Sequence, residues 1–81
     1  MYNLPDDVSF LSLLHNIGAT SPRKSLTVEE ISKWAAMDYQ KVMEKLSKLR
    51  DEKYVKVHIS DGIEKYYVTV DGIRKVLSIY S

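Results

Sequence analysis

Apolar residues recur through the first fifty positions of this chain at three- and four-residue intervals, then from residue 55 at every second position. Phe10, Leu13, Leu14 and Ile17 stand at i, i+3, i+4 and i+7, the spacing of one helical face. Leu4-Pro5-Asp6-Asp7 reads as the start of that helix, with two carboxylates facing the positive end of its dipole. Gly18 reads as its stop, because glycine accepts positive φ at little cost. A helix over about 6–17 follows. Ala19 to Ser25, containing Pro22, reads as a loop. Thr27-Val28-Glu29-Glu30 has the spacing of a capping box, hydroxyl to amide in one direction and carboxylate to amide in the other. The short helix it opens turns Val28, Ile31 and Ala35 inward. Ala36-Met37-Asp38 breaks it, and Asp38 is a suitable N-cap for a second helix ending near Glu52. That helix points Val42, Leu46 and Leu49 inward, carries Tyr39 and Met43 on its flanks, and shows Gln40, Lys41, Glu44, Lys45, Ser47 and Lys48 outside.

The period then changes. Val55, Val57 and Ile59 alternate with Lys56 and His58, a strand pattern, and Asp61-Gly62 is a two-residue hairpin turn whose residues both tolerate positive φ. Pairing Ser60 with Ile63 sets Ile59 against Glu64, Val57 against Tyr66 and Val55 against Val68, an apolar side spoiled only by Glu64 near the tip. The other side collects Lys56, His58, Lys65 and Tyr67. The hairpin covers about 54–69. A last helix over about 70–80, capped by Thr69 or Asp71, is expected to bury Ile73, Val76, Leu77 and Tyr80. The order predicts an α+β, mainly α, single domain over 1–81, without internal repeat or linker.

Eighty-one residues must use nearly every large apolar side chain to build a core, and 44% hydrophobic with 28% charged residues is globular usage. The absence of cysteine removes disulfides, thiolate zinc sites and cysteine nucleophiles. No apolar run reaches the length of a membrane span, and Asp6 and Asp7 stand where a signal peptide would carry Lys or Arg, so a cytoplasmic protein is expected. His15 and His58 are isolated from other ligands, and three glycines form no phosphate-cradling loop. No nucleophile elbow occurs. We expect no enzyme, cofactor, metal or small-molecule ligand. Abundant Ile, Leu, Val, Lys and Tyr without Cys is the flavour of a thermophilic archaeal protein. Net charge is only +1, but its distribution matters: residues 1–20 carry −2, residues 21–60 carry nine basic against six acidic side chains, and residues 61–81 balance.

From about Leu26 to Leu77 the chain resembles the winged helix-turn-helix superfamily, and within it small archaeal and bacterial regulators of the MarR, PadR and ArsR kind. The matching stretches are Leu26-Thr27-Val28-Glu29-Glu30-Ile31, then Val42 through Leu46 to Leu49, then Tyr54-Val55 entering the wing and Val68-Thr69-x-x-Gly72 leaving it. Two departures stand out. The turn has Ala36 where glycine is usual, and Lys53 follows the second motif helix where glycine is common. A left-handed Lys53 would cost about 1 kcal/mol.

The resemblance implies double-stranded DNA as partner and residues 39–52 as the recognition helix in the major groove. Transferred position by position, the readers are Tyr39, Gln40, Lys41, Glu44 and Lys45, with Gln40 suited to adenine and the lysines to guanine or phosphate. Lys48 is placed for phosphate, Arg23 and Lys24 for the backbone, and Lys56, His58, Lys65 and Tyr67 for the wing. The same lysine spacing also fits a plain solvated face, and Asp61 and Glu64 at the wing tip would repel phosphate. Trp34 falls beside the Ile31 and Ala35 stripe, which favours partial burial; an exposed Trp34 would mark a partner surface. Val8 and Leu11 widen the apolar arc of the first helix. That excess suggests a homodimer seam shared with Ile79 or Tyr80, or else a core that wraps the helix on two sides. The other function class is a protein-interaction winged helix, an accessory part of a transcription, replication or membrane-remodelling assembly.

Overall fold

A computed structural model describes residues 6–79. Its elements are α1 (Asp6–Asn16), a single 3-10 turn (Pro22–Lys24), α2 (Val28–Ala35), α3 (Tyr39–Asp51), β1 (Val55–Ser60), β2 (Ile63–Val68) and α4 (Val70–Ile79). The boundaries follow local chemistry. Gly18 takes φ +89° just past α1. The capping box at α2 is formed in both directions: the Glu30 amide donates to Thr27 Oγ1 at 3.1 Å, and the Thr27 amide donates to the Glu30 carboxylate at 2.9 Å. Ala36 ends α2 in the left-handed region, at φ 52°, a conformation that favours glycine. Asp38 occupies the N-cap position of α3, but its side chain makes no capping hydrogen bond, which corrects the expected cap.

The hairpin has the expected register, from Val55 opposite Val68 to Ser60 opposite Ile63. Asp61 and Gly62 both take positive φ, 52° and 78°, so the turn sets the twist that the strands need. A further pairing was not expected from the chain's pattern: Leu26 bridges Tyr66 in antiparallel fashion, with amide-to-carbonyl bonds of 2.9 and 2.7 Å in the two directions. The Val68 amide donates to Ala19 O at 2.7 Å, tying the loop after α1 to β2. These bonds fasten one edge of the wing to the body of the domain.

Phe10, Leu11 and Leu14 from α1, Val28 and Ile31 from α2, Val42, Leu46 and Leu49 from α3, Val55, Tyr66 and Val68 from the hairpin, and Val76 from α4 form one core. Each fully buried Val, Leu or Ile contributes about 1.5–3 kcal/mol. α1 lies at its centre, touching α2, α3, β2 and α4. That position corrects the seam expected on α1: Leu11 is 0% exposed and belongs to the core, so the wide apolar arc is covered on two sides from within the same chain. The expected burial of Leu77 is also corrected. It is 53% exposed, because α4 packs through Gly72 and Val76, with Ile73 half-buried. Ile59, placed on the apolar side of the ribbon by its register, is 64% exposed because the tip overhangs the core. Leu4, Pro5 and Tyr80 lie outside the described residues.

α3 is joined to the wing through a tight seam. Lys53 does adopt the left-handed conformation, φ 67°, with its amide donating to Arg50 O at 2.9 Å. Thr69 then serves both sides: its hydroxyl donates to Lys53 O at 2.8 Å and accepts from the Gly72 amide at 3.0 Å, which caps α4. Its amide donates to Tyr54 O at 2.9 Å. Gly72 is glycine for packing reasons, since a Cβ there would collide with the Tyr54 carbonyl and lie 2.6 Å from Val68 Cγ1.

Candidate nucleic-acid interface

The helical period divides α3 into four strips. Val42, Leu46 and Leu49 face the core, at most 1% exposed. Opposite them Gln40, Glu44, Ser47 and Asp51 form an exposed outer ridge. Lys41, Lys45 and Lys48 make the flank toward α1, and Tyr39, Met43 and Arg50 the other flank. Tyr39, Gln40, Lys41, Glu44 and Lys48 are therefore exposed together on one helix, with Lys45 half-buried beside them. α2 braces α3 from behind.

Lys48 is not simply extended into solvent. Its ammonium pairs with the Asp7 carboxylate of α1 at 2.5 Å, with relative exposures of 63% for Lys48 and 27% for Asp7. The hydrogen bond that Lys48 donates to Asp7 raises its pKa, the Asp7 charge adds to it, and the Glu52 charge adds less, against an opposing effect of desolvation. Beside this pair a shallow groove is lined by Phe10, Leu13, Ala35 and Met37, with Lys41 and Lys45 at one rim.

The register puts Lys56 against Tyr67 and His58 against Lys65 on the ribbon face away from the core. Lys56 is exposed, while His58, Lys65 and Tyr67 are half-buried. Below the ribbon, Tyr66 donates to Glu64 at 3.3 Å. Burial first, and then the Glu64 carboxylate, hold the Tyr66 phenol above its ordinary pKa. Arg23 and Lys24 are exposed on the 3-10 turn, which packs beside β2 and so lies apart from the lysine flank of α3. Two cations that sequence reasoning passed over, Arg50 and Lys53, line a surface groove with Lys56, Val55 and Val57. The break after Glu52 carried the signal: a left-handed residue there folds β1 back beside the last turn of α3.

Of the expected partner surface, Trp34 is exposed at 62%, against the expectation of partial burial: it lies one turn from buried Ile31, but no other element covers it. Val8 and Ile79 are half-buried. Among the described residues no three His, Asp or Glu side chains gather as a metal site, and no helix is long and apolar enough to cross a membrane.

Three helices, a two-stranded wing and a closing helix in this order define a winged helix-turn-helix fold. Solved structures agree. The solution structure of the DNA-binding TubR fragment from Clostridium botulinum is 26% identical, with a TM-score of 0.80 over 98% of this chain and 99% of that one. The DNA complex of S. aureus MepR is 20% identical, TM-score 0.79, and a MarR family protein from Bacillus stearothermophilus is 15% identical, TM-score 0.77. This chain spans 57% and 53% of those two chains, so the likeness to them is one of fold over little more than half their length. No family model matches the chain, and no curated protein matches it.

Proposed function

We propose that this protein is a small sequence-specific DNA-binding regulator that lays α3 in the major groove of a duplex. The observation that carries this reading is the division of α3: one strip closed into the core, the opposite ridge open along the whole helix. An open amphipathic helix braced by α2, with a wing beside it, is the geometry by which such folds reach base edges. The TubR fragment, described as DNA-binding, matches essentially end to end. Gln40 and Glu44, one turn apart on the outer ridge, are the base readers: an amide pairs with adenine and a carboxylate accepts from cytosine N4. Lys41 and Lys45 contact phosphate or guanine from the flank, and Arg23, Lys24 and the Lys56–His58–Lys65–Tyr67 face add backbone contacts. The site of action is the cytoplasm.

The test is binding to random duplex at low salt, followed by selection from a random-sequence pool. Gln40→Ala and Glu44→Ala should each relax preference at one position, worth about 1–3 kcal/mol of discrimination. Selection without enrichment would sink the sequence-specific reading.

The functional unit we propose is a two-fold homodimer, which would present two α3 helices to a palindromic site. With Leu11 inside the core, its seam moves to α4, where Val70 and Leu77 stand exposed at i and i+7 beside half-buried Ile73 and Ile79. Sedimentation velocity at tens of micromolar, where a working dimer is expected to persist, gives a dimer mass; a monomer there removes the idea. One observation favours the second reading, a protein-interaction module: Trp34 is exposed on α2 beside Glu30 and Lys33. Loss of duplex binding in the assay above, with a partner captured through Trp34 and lost in Trp34→Ala, would select it.

A further inference from the structure

Three cations meet where α3 hands over to the wing. Arg50 stands in the last turn of α3, Lys53 at the left-handed residue after it, and Lys56 at the second position of β1; all three are exposed around one groove floored by Val55 and Val57. The backbone beneath them is fixed by the Lys53 amide on Arg50 O, the Tyr54 amide on Leu49 O at 3.0 Å and the Thr69 hydroxyl on Lys53 O. Their charges therefore project from a rigid corner. Among the described residues none of the three is held in an ion pair. The acidic neighbours on α3 lie elsewhere: the helical period puts Asp51 on the outer ridge and Glu52 on the Lys48 side, where its charge acts on Lys48. Glu64 on β2 is the acid nearest this side, hydrogen-bonded by the Tyr66 phenol, on which the Arg50 charge also acts. The opposite flank is arranged differently, with Lys48 already engaged by Asp7.

We propose that Arg50, Lys53 and Lys56 form a phosphodiester clamp for one strand of a DNA duplex, and that this clamp, in place of Lys48, supplies the backbone contact at the C-terminal half of α3. The proposal rests on the DNA-binding reading and deepens it. A helix about 10–12 Å across fills a major groove about 12 Å wide, so its two flanks meet the two sugar-phosphate rails. Lys41 and Lys45 face one rail. The corner cations face the other, with the planar Arg50 guanidinium able to grip phosphate oxygens in pairs and the two ammonium groups acting as point charges.

The experiment measures affinity of the whole chain for a pool-selected duplex as a function of salt. Each lost phosphate contact lowers the slope of log K against log salt by about 0.9. Arg50→Ala, Lys53→Gly and Lys56→Ala should each lower it by about that amount and weaken all sequences alike, while Lys48→Ala leaves it unchanged. Arg50→Lys should restore the slope, and thermal melts of each variant confirm the fold. A full wild-type slope retained in Arg50→Ala and Lys56→Ala overturns the clamp while leaving DNA binding in place. So does a slope that drops in Lys48→Ala alone. Absence of duplex binding by the unmodified chain at low salt overturns the functional reading itself.

Discussion

Replacing Gly72 by alanine sets helix propensity against packing, and the two effects have opposite signs. Gly72 lies inside α4, where alanine is ordinarily better by about 1 kcal/mol. The added Cβ, however, would run into the Tyr54 carbonyl and sit 2.6 Å from Val68 Cγ1. Neither can step aside: Tyr54 O accepts the Thr69 amide at 2.9 Å, and Val68 is 0% exposed. Restoring an ordinary carbon contact of roughly 3.5 Å requires α4 to withdraw by about 1 Å. Overpacking of this kind costs about 1–3 kcal/mol. The withdrawal also stretches the Thr69 bonds to Tyr54 O and Lys53 O, each contributing about 1 kcal/mol. Set against the propensity gain, the balance is a loss of about 2 kcal/mol, or a fall in Tm of about 10 °C for a domain of this size. Circular-dichroism melts and urea titrations at fixed protein concentration measure it. If Gly72→Ala melts at or above the parent, the close approach of α4 to the start of the wing is wrong, and so is the account of why glycine stands there.

Other consequences are smaller. Lys53→Gly relieves a left-handed side chain at φ 67° and should raise stability by about 1 kcal/mol in urea titrations while lowering the DNA salt slope, a separation that a purely structural role would not give. Asp7→Asn releases Lys48 and should steepen the salt dependence by about 0.9, an effect abolished in the double variant with Lys48→Ala. Ser12 is buried with its hydroxyl unpartnered among the described residues, so Ser12→Ala should stabilise by about 1 kcal/mol in thermal melts; a clear loss would mean that the hydroxyl is satisfied after all. Because Tyr66 binds its proton more tightly folded than unfolded, its contribution is complete below the unfolded value near 10 and is lost as pH rises through the higher folded value. Tyr66→Phe should therefore show a shallower decline of Tm above about pH 10; equal declines would argue against the raised phenol.

Local order was readable from residues a few positions apart. The switch from helical to alternating period after Lys53, the Asp61-Gly62 turn with its register, the Thr27/Glu30 box and the inward Val42, Leu46 and Leu49 all depend on short-range hydrogen bonding and side-chain spacing. What surrounds each element was not readable that way. α1 offers apolar side chains over so wide an arc that periodicity alone could not say whether Leu11 faced a second copy or the chain's own core. Leu77 and Trp34 went to solvent because neighbouring helices ran out of surface to cover them. The Leu26–Tyr66 bridge, the Asp7–Lys48 pair and the Arg50–Lys53–Lys56 corner each join residues that only the packed chain brings together. Sequence sets which bonds the backbone makes with its near neighbours; tertiary packing decides which faces are covered, because coverage depends on elements that arrive from elsewhere in the chain.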